Sequence, residues 1–304
     1  MLDKLEFLLV LAQERHFGRA AEAAGVTQPT FSSAIKSLEE TLGTALVERG
    51  SRFRGFTPEG ERVLEWARRL VGDARTMRQE LQSLRGILSG HLHIGAIPTA
   101  LPCIPHLTVP FNARFPRVRL SVFSATSVDI LSKLENLELD IGISYIDNEP
   151  VGRLTTVALY EEQYVLLVSC RSPLARFDKM TWSEAGRLPL CLLTPDMQSR
   201  RIIDQLLQEA GGGSAPTFES NSMMTLFTHV RTGRWVSIVP ARLVDTVERP
   251  RQLKTIPLTS PTISKTIGVL VRGREPFAPT VSAFIAVAER AFKASSNVEE
   301  PEEA

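Results

Sequence analysis

An apolar repeat between residues 63 and 88 constrains the fold of this chain more than any other feature. The apolar residues recur at alternating intervals of four and three: Val63, Ala67, Leu70, Ala74, Met77, Leu81, Leu84 and Leu88. This is the a/d spacing of a coiled coil. Thr57 can cap such a helix, with Pro58 in its first turn. The pattern predicts one helix of about 31 residues, ~46 Å long, with a narrow apolar seam.

Two partners for this seam are open. The remaining surface of the predicted helix is strongly charged and includes Arg68, Arg69, Arg75, Arg78, Glu80 and Arg85. The seam can pack on the larger part of the same chain, or on the same helix of a second copy. We favour the second copy, because a dimer would pair two copies of the N-terminal unit described next. Ser89 and Gly90 then mark a hinge.

Composition limits the classes of protein to which the chain can belong. It has 304 residues and 43% hydrophobic content, which suggests about two globular domains. The net charge is +1, so any contact with nucleic acid depends on a local arrangement of charge. The three cysteines, Cys103, Cys170 and Cys191, are odd in number and widely spaced. They argue against a disulfide framework or a cysteine zinc site and favour the reducing cytoplasm.

No stretch of the sequence is suited to a membrane. No apolar run approaches the 18 residues of a membrane-spanning helix. The apolar start at residues 7–12 is short and follows Glu6, so we interpret it as a buried helix face and not as a secretory signal. We therefore expect no membrane partner.

The first 43 residues predict three helices. The apolar positions of the first are Leu5, Leu8, Leu9 and Ala12; those of the second are Phe17, Ala20, Ala21 and Ala24; those of the third are Phe31, Ile35, Leu38 and Leu42. Gly25 can end the second helix and Thr27 can cap the third. Two short helices joined by a glycine-containing turn form a helix-turn-helix, whose second helix enters the major groove of DNA.

Near its N-terminus the outer face of the third helix carries Thr30, Ser32 and Ser33, where surface helices usually have long charged side chains. Short side chains let the helix axis approach the bases closely, and hydroxyls can bond to base edges or phosphates. Arg49, Arg52 and Arg54 follow in a hairpin-like turn that can act as a wing on the DNA backbone. The alternatives are a plain three-helix packing unit and a solvated turn paired with Glu48.

Two stretches carry a resemblance to a known family. FGRAAEAAGVTQPTFSSAIKSLEETLGTALVERG (17–50) and FTPEGERVLEWARRL (56–70) resemble LysR-type transcriptional regulators. The resemblance implies that the DNA-binding residues are Gln28, Pro29, Thr30, Ser32, Ser33, Lys36, Arg52 and Arg54. Two departures affect these contacts: the family often has Arg or a larger polar residue in place of Ser33, and the wing pattern differs slightly at Ser51 and Arg52. The resemblance also implies double-stranded promoter DNA with an inverted repeat, a homodimer or homotetramer, and RNA polymerase as partners.

Alternating strands and helices follow residue 90. The predicted strands cover 91–97, 118–124, 139–145, 164–169, 188–194, 235–240 and 265–272. Such alternation implies parallel sheets covered by helices on both faces. The length of this part suggests two lobes, and it resembles the type 2 periplasmic binding proteins that the LysR family uses to sense small molecules.

The predicted fold class is therefore an all-α winged helix-turn-helix domain with a long linker helix, followed by a two-lobed α/β domain. The boundaries are 1–57 for the DNA-binding domain, 58–90 for the linker helix and hinge, 91–294 for the effector domain and 295–304 for a disordered acidic tail. Lobe I takes about 91–162 and 266–294, and lobe II takes about 163–265.

Hydroxyl and small residues follow several predicted strands or open the helices after them. In open α/β sheets, ligands bind at this edge, where helix N-termini favour anions. Together with the family's effector positions, this pattern predicts an effector site of Pro98, Thr99, Ala100, Thr126, Ser127, Thr194, Gln198, Ser199, Asn221 and Ser222. Taken singly, each of the Ser, Thr and Asn residues is also a good helix N-cap. Arg200 or Arg201 can add charge for a carboxylate, so we expect a small organic anion and no cofactor or metal. The run LTPDMQSRRIID (193–204) resembles regulators encoded beside formate dehydrogenase operons.

An enzyme and a transport binding protein are the two alternative classes. An enzyme lacks support, because the sequence has no G-x-G-x-x-G, P-loop, G-x-S-x-G or H-E-x-x-H motif and no paired acid and base. His91 and His93 share a predicted strand face, where packing is the simpler role. A transport binding protein would need a secretory signal and would not need the N-terminal helices.

Overall fold

A computed structural model describes residues 1–48, 53–83, 88–152, 154–211, 213, 215–246, 252–273 and 277–296. The chain divides into two compact units. Unit 1 contains Met1–Ile87 and Glu135–Glu138, and unit 2 contains Leu88–Leu134 and Leu139–Ala304.

Unit 1 contains the three predicted short helices and the long one. They are α1 (Leu2–Glu14), α2 (Phe17–Ala23), α3 (Gln28–Leu42) and α4 (Pro58–Ser83). Their common core contains Leu8, Leu11, Phe31, Leu38 and Leu64, all fully buried or nearly so. The helix predicted to reach Leu88 is described as far as Ser83, and residues 84–87 lie outside the described residues.

Unit 2 is an α/β unit. Its strands are β1 (Gly90–Ala96), β2 (Val118–Ser124), β3 (Ile141–Tyr145), β4 (Leu154–Ser169), β5 (Met180–Thr181), β6 (Cys191–Leu193), β7 (Phe218–Ser220), β8 (Ser237–Pro240), β9 (Leu253–Thr259) and β10 (Ser264–Arg272). Its helices are α5 (Ile104–Arg114), α6 (Ser127–Glu135), α7 (Trp182–Ala185), α8 (Gln198–Glu209), α9 (Met223–Arg231), α10 (Ala241–Thr246) and α11 (Pro279–Ser296). Because α11 reaches Ser296, the acidic tail predicted at 295–304 begins inside a helix, and residues 297–304 lie outside the described residues.

The main sheet is mixed, so the expectation of purely parallel sheets is wrong. Its order is β2-β1-β3-β10-β4-β9-β5, with β8 also paired to β4. β1 is parallel to β2 and β3, whereas β10 runs antiparallel to β3 and β4. β4 carries the chain from lobe I to lobe II and β10 carries it back, which gives the two crossing strands opposite directions. β6 and β7 form a separate parallel pair.

β4 belongs to both lobes. Its first part pairs with β10 in lobe I, and residues 164–169 pair with β8 and β9 in lobe II. The sequence predicted only residues 164–169, because the preceding LTTVALYEEQ mixes polar and apolar residues without a continuous apolar run. β5, β7 and β9 were also not predicted.

Candidate nucleic-acid interface and ligand cleft

Side-chain caps and one glycine shape the helix-turn-helix. Gly25 has a left-handed backbone with a φ of 68°, which glycine adopts at little cost after a helix. Thr27 Oγ1 then accepts a bond from the Thr30 amide at 3.4 Å and begins α3, as predicted. At the start of α2, His16 Nδ1 accepts from the amides of Gly18 and Arg19 at 3.1 and 3.3 Å. These bonds satisfy amides that a helix leaves free in its first turn.

α3 has one buried face and one exposed face. Phe31, Ile35 and Leu38 are buried, and Phe31 stacks on Phe7 with ring centroids 5.0 Å apart. Leu42 was predicted to share this face but is 38% exposed, because α3 ends there and the core does not extend that far. The exposed predicted DNA-binding residues are Gln28, Pro29, Thr30, Ser33 and Lys36, whereas Ser32 is half-buried.

A short hairpin follows α3. Val47 and Phe56 form an antiparallel bridge, and the Glu48 amide bonds to the Gly55 carbonyl at 3.0 Å. Arg54 is exposed at this wing, whereas Arg49 and Arg52 lie outside the described residues. Because the hairpin is joined to α4 through Thr57, whose hydroxyl bonds to the Ala45 carbonyl and caps the Gly60 amide, its position relative to α3 is fixed.

The apolar seam of α4 divides into two parts. Ala67, near the start of the helix, is buried in the core of unit 1. The first part of the seam therefore packs within a single chain. Leu70, Met77 and Leu81 are 44%, 55% and 58% exposed. A row of exposed large apolar side chains on a charged helix is typical of a surface that binds another helix.

A small cleft in unit 2 brings together residues that follow β1, β2 and β6. Its cavity volume is about 10 Å³, and its lining residues are Ile97, Pro98, Thr99, Thr126, Ser127, Leu193, Met197, Gln198 and Ser199. Six of these belong to the predicted effector site. α6 and α8 both begin at the cleft, with Ser127 and Gln198 as their first residues. The apolar lining residues Ile97, Leu193 and Met197 were not predicted, because apolar residues at strand ends resemble ordinary core residues.

Two hydroxyls at or beside this cleft have no partner among the described residues. The Oγ1 atoms of Thr99 and Thr194 are buried without a hydrogen bond to the protein, whereas the buried Ser199 Oγ faces the hydroxyls of Tyr145 and Tyr164. A buried polar atom without a partner costs free energy, so it is normally satisfied by water or ligand. Thr99 and Ser199 line the cleft itself.

The remaining predicted effector residues are not cleft-lining. Ala100 is fully buried beside Thr99. Ser222 caps α9 by accepting from the Thr225 amide at 3.4 Å, and Asn221 is exposed before it. Capping thus accounts for Ser222, as it does for Thr126, whose hydroxyl accepts from the Asp129 amide at 3.1 Å while also lining the cleft.

The two arginines considered as anion ligands are both paired with carboxylates. Arg200 is buried and bonds to Asp204 at 2.7 Å and Glu219 at 2.6 Å, both in its own lobe. Arg201 bonds across the cleft to both carboxylate oxygens of Glu149, at 2.7 and 2.9 Å. Glu149 was not predicted, because it lies in the polar loop after β3, where no spacing marks a site.

A buried polar cluster lies where β4 passes between the lobes. Glu162 is 1% exposed, and burial raises its pKa to about 8, although nearby Arg242 and the Tyr145 hydroxyl oppose this shift. The Tyr164 hydroxyl donates to that of Tyr145 at 3.0 Å. Burial also raises the pKa of both tyrosine hydroxyls.

The buried cysteines are not poised for thiol chemistry. Cys103 and Cys191 lie in different apolar clusters, and burial raises the pKa of both thiols, that of Cys191 to about 11. A reactive cysteine needs a lowered pKa, because the thiolate is the nucleophile. Cys170 is exposed. Among the described residues, no group of three or more His, Cys, Asp or Glu side chains is arranged to hold a metal.

His91 and His93 lie on one face of β1 with their rings 4.0 Å apart. His91 bonds to Ser121 at 2.7 Å, and the carboxylate of Asp140 accepts from the His93 amide at 2.7 Å. Asp140 Oδ2 also lies 3.3 Å from His93 Nδ1, a side-chain pair that the sequence did not predict. These contacts join neighbouring strands, in keeping with the packing role expected of both histidines.

Comparison with known families covers nearly the whole chain. Residues 2–61 match the bacterial regulatory helix-turn-helix protein, lysR family, and residues 85–293 match the LysR substrate binding domain. The chain belongs to the LysR family. It is a DNA-binding transcriptional regulator with an effector-binding domain. In the part of the chain that the structure describes, no helix is both long and apolar enough to cross a membrane.

Among its relatives are regulators named for hydrogen peroxide. The DNA-binding transcriptional dual regulator OxyR of Escherichia coli K12 is 29% identical over 273 residues, covering 90% of this chain and 89% of the relative. A probable nitrogen assimilation transcriptional activator of Synechococcus elongatus is 28% identical and covers 93% of this chain and 92% of the relative. A full-length OxyR variant from Pseudomonas aeruginosa is 27% identical, with a TM-score of 0.75, and covers 95% of this chain and 97% of that structure.

Proposed function

We propose that the effector of this regulator is a small organic anion that binds in the cleft between the lobes. The observation that carries this proposal is that Thr99 Oγ1, which lines the cleft, and Thr194 Oγ1, next to the lining residue Leu193, are buried without a hydrogen bond to the protein. The N-termini of α6 and α8 add free amides and a favourable dipole for negative charge. The cavity volume of about 10 Å³ is close to the minimum for one water molecule, so an effector of few atoms enters by displacing contacts between the lobes.

The proposed target is double-stranded promoter DNA with an inverted repeat. α3 offers its exposed polar face to the major groove, and the exposed seam of α4 joins two copies so that two such helices face one duplex. The assembly is a homodimer or homotetramer in the cytoplasm and acts on RNA polymerase. A related structure, CbnR at 21% identity and a TM-score of 0.61, is described as a complex with its target DNA.

The effector regulates DNA binding through a difference in its own affinity. It changes DNA binding only when it binds two arrangements of the protein with different affinities. Ligand contacts from both lobes provide such a difference, because they form only when the lobes are close together. We assign no catalytic activity and no cofactor to this chain.

Peroxide sensing through a thiol is the second candidate, since several relatives are named hydrogen peroxide-inducible genes activators. The described cleft lining contains no cysteine, and the two buried thiols have raised pKa values. The cleft hydroxyls therefore favour reversible ligand binding over thiol oxidation.

Substitution of Thr99 tests the cleft. Binding of formate, acetate and other small carboxylates is measured by isothermal titration calorimetry, with hydrogen peroxide as a separate arm. Thr99→Val keeps the side-chain shape and removes the hydroxyl, so carboxylate affinity should fall about tenfold or more. Thr228→Val, at an exposed position on α9, is the matched control and should retain wild-type affinity. Equal affinity in wild type and Thr99→Val contradicts the proposed site.

A further inference from the structure

Arg201 is held by a complete set of hydrogen bonds at the rim of the cleft. Its Nε and Nη2 atoms donate to the two carboxylate oxygens of Glu149. Nη2 also donates to Ser127 Oγ at 3.1 Å, and Nη1 donates to the carbonyls of Asp196 and Pro195 at 2.7 and 3.2 Å. A guanidinium has five N–H donors, so each has an acceptor here.

These contacts join the two lobes. Arg201 lies in the first turn of α8 in lobe II, whereas Ser127 and Glu149 belong to lobe I. Gln198, also in the first turn of α8, makes a second bridge by accepting from the Ser144 hydroxyl at 3.0 Å. The first turn of α8 thus holds lobe I on both the buried and the outer side of the cleft.

Arg200 and Arg201 differ in their burial and in the lobe that supplies their carboxylate partners. Arg200 is buried, and its carboxylate partners, Asp204 and Glu219, come from its own lobe. Arg201 and Glu149 retain about a third of their side-chain exposure, at 33% and 29%. A ligand in the cleft can therefore compete for Arg201 without removing a charge from the protein interior, and a released Glu149 can return to water.

We propose that Glu149 occupies on Arg201 the position of the effector's own carboxylate. The bidentate geometry on Nε and Nη2 is the one that a guanidinium offers to a planar carboxylate. Ser127 connects this position to the cavity, because its hydroxyl is bonded to Arg201 and also lines the cleft. A carboxylate bound against Ser127 lies within reach of the same edge of the guanidinium.

Exchange of Glu149 for the ligand's carboxylate leaves the charge of Arg201 paired. In the free protein Arg201 is neutralised by Glu149, and in the complex it is neutralised by the ligand. Glu149 then acts as an internal competitor that weakens carboxylate binding, and its release breaks one of the links between the lobes. This inference rests on the proposed cleft site and adds the ligand class, the residue that recognises it and the contact that it replaces.

The test uses the full-length protein with acetate and formate as probes and nitrate as a small anion without a carboxylate, measured by calorimetry at one ionic strength. Glu149→Gln removes the competing charge with little change in shape, so acetate or formate should bind about fivefold more tightly. Arg201→Gln should lose most of the carboxylate affinity. Glu219→Gln, which removes a carboxylate paired with an arginine inside one lobe, should bind as wild type does.

The outcomes separate this inference from the proposed function. Carboxylate binding that is weakened by Thr99→Val but unchanged in Glu149→Gln and Arg201→Gln overturns the role of Arg201 and leaves the cleft site in place. Absence of carboxylate binding in wild type and in Glu149→Gln overturns both. Equal tightening by Glu149→Gln and Glu219→Gln indicates a general effect of charge and also overturns the inference.

Circular dichroism and thermal unfolding identify a variant that fails to fold. In that case Arg201→Lys replaces Arg201→Gln. Lysine keeps the charge but lacks the two parallel N–H donors of the guanidinium, so carboxylate affinity should still fall.

Discussion

At the scale of single residues, unit 1 depends on close contacts that tolerate no additional atoms. Gly60 in the first turn of α4 lies against the hairpin that follows α3. A Cβ atom at this position would lie 2.0 Å from the Leu46 carbonyl oxygen and 2.9 Å from its carbon. Both are backbone atoms, so the contact cannot be relieved by turning a side chain. Glycine is therefore required here for close packing of the wing on α4.

Gly60→Ala should destabilise unit 1. Overpacking of this kind costs on the order of 1–3 kcal/mol, and the displaced wing should also weaken DNA binding. The measurements are urea unfolding followed by circular dichroism and DNA affinity by fluorescence anisotropy. Gly213→Ala is the matched control, because a Cβ atom there meets nothing within 4 Å. Equal unfolding midpoints for the two variants would contradict the proposed role of the contact.

Lys36 provides the residue-scale test of the DNA surface. Its side chain is exposed on α3, and its only close carboxylate among the described residues is Glu40 at 3.9 Å. If Lys36 contacts a phosphate, Lys36→Ala should weaken binding of all sequences and lower the salt slope of log K by about 1. Lys179→Ala, exposed in unit 2, serves as the control. A wild-type slope for Lys36→Ala would remove Lys36 from the interface.

Among the helices and strands, the features that the sequence predicted correctly are those set by residues close together in the chain. The caps at Thr27 and Thr57 and the apolar face of α3 through Leu38 were correctly predicted, because capping and helical periodicity involve residues close in the chain. The antiparallel placement of β10 and the pairing of Arg201 with Glu149 were not predicted. They join residues far apart in sequence, and their geometry depends on how the chain returns between lobes.

Substitutions on the exposed part of the α4 seam test whether it is the dimer contact. Met77→Glu with Leu81→Glu places charge on the exposed seam, where burial against a second helix would become unfavourable. The variant should shift toward monomers in analytical ultracentrifugation and should lose affinity for an operator with two half-sites. Arg78→Glu, also exposed on α4, changes charge beside the seam and should retain the wild-type assembly. An unchanged sedimentation coefficient for the double variant would exclude this seam as the dimer contact.

At the scale of the whole molecule, Glu162 links stability to pH. Burial raises its pKa from 4.5 to about 8, so the folded protein holds a proton that the unfolded chain releases. Its contribution to stability is fully present below pH 4.5 and is lost as the pH rises toward about 8. The loss amounts to a few kcal/mol at most, of the order given by such shifts.

Glu162→Gln should flatten this dependence. The neutral amide has nothing to ionise, so the variant's free energy of unfolding should fall less than that of wild type between pH 4.5 and 8. Urea unfolding across that range measures the difference. Glu161→Gln changes the exposed neighbouring residue on β4 and should follow the wild-type profile. Parallel profiles for Glu162→Gln and wild type would show that Glu162 does not hold the proton.

The continuity of β4 governs how the lobes can move. One strand of 16 residues pairs with β10 in lobe I and with β8 and β9 in lobe II, and its register with β10 shifts between Ile267 and Gly268. Residues 165–167 are bonded on both sides and resist bending in the plane of the sheet, whereas the irregular register with β10 allows extra twist in the first part of the strand. We therefore expect any movement of the lobes to be a twist about the axis of β4 and not a bend.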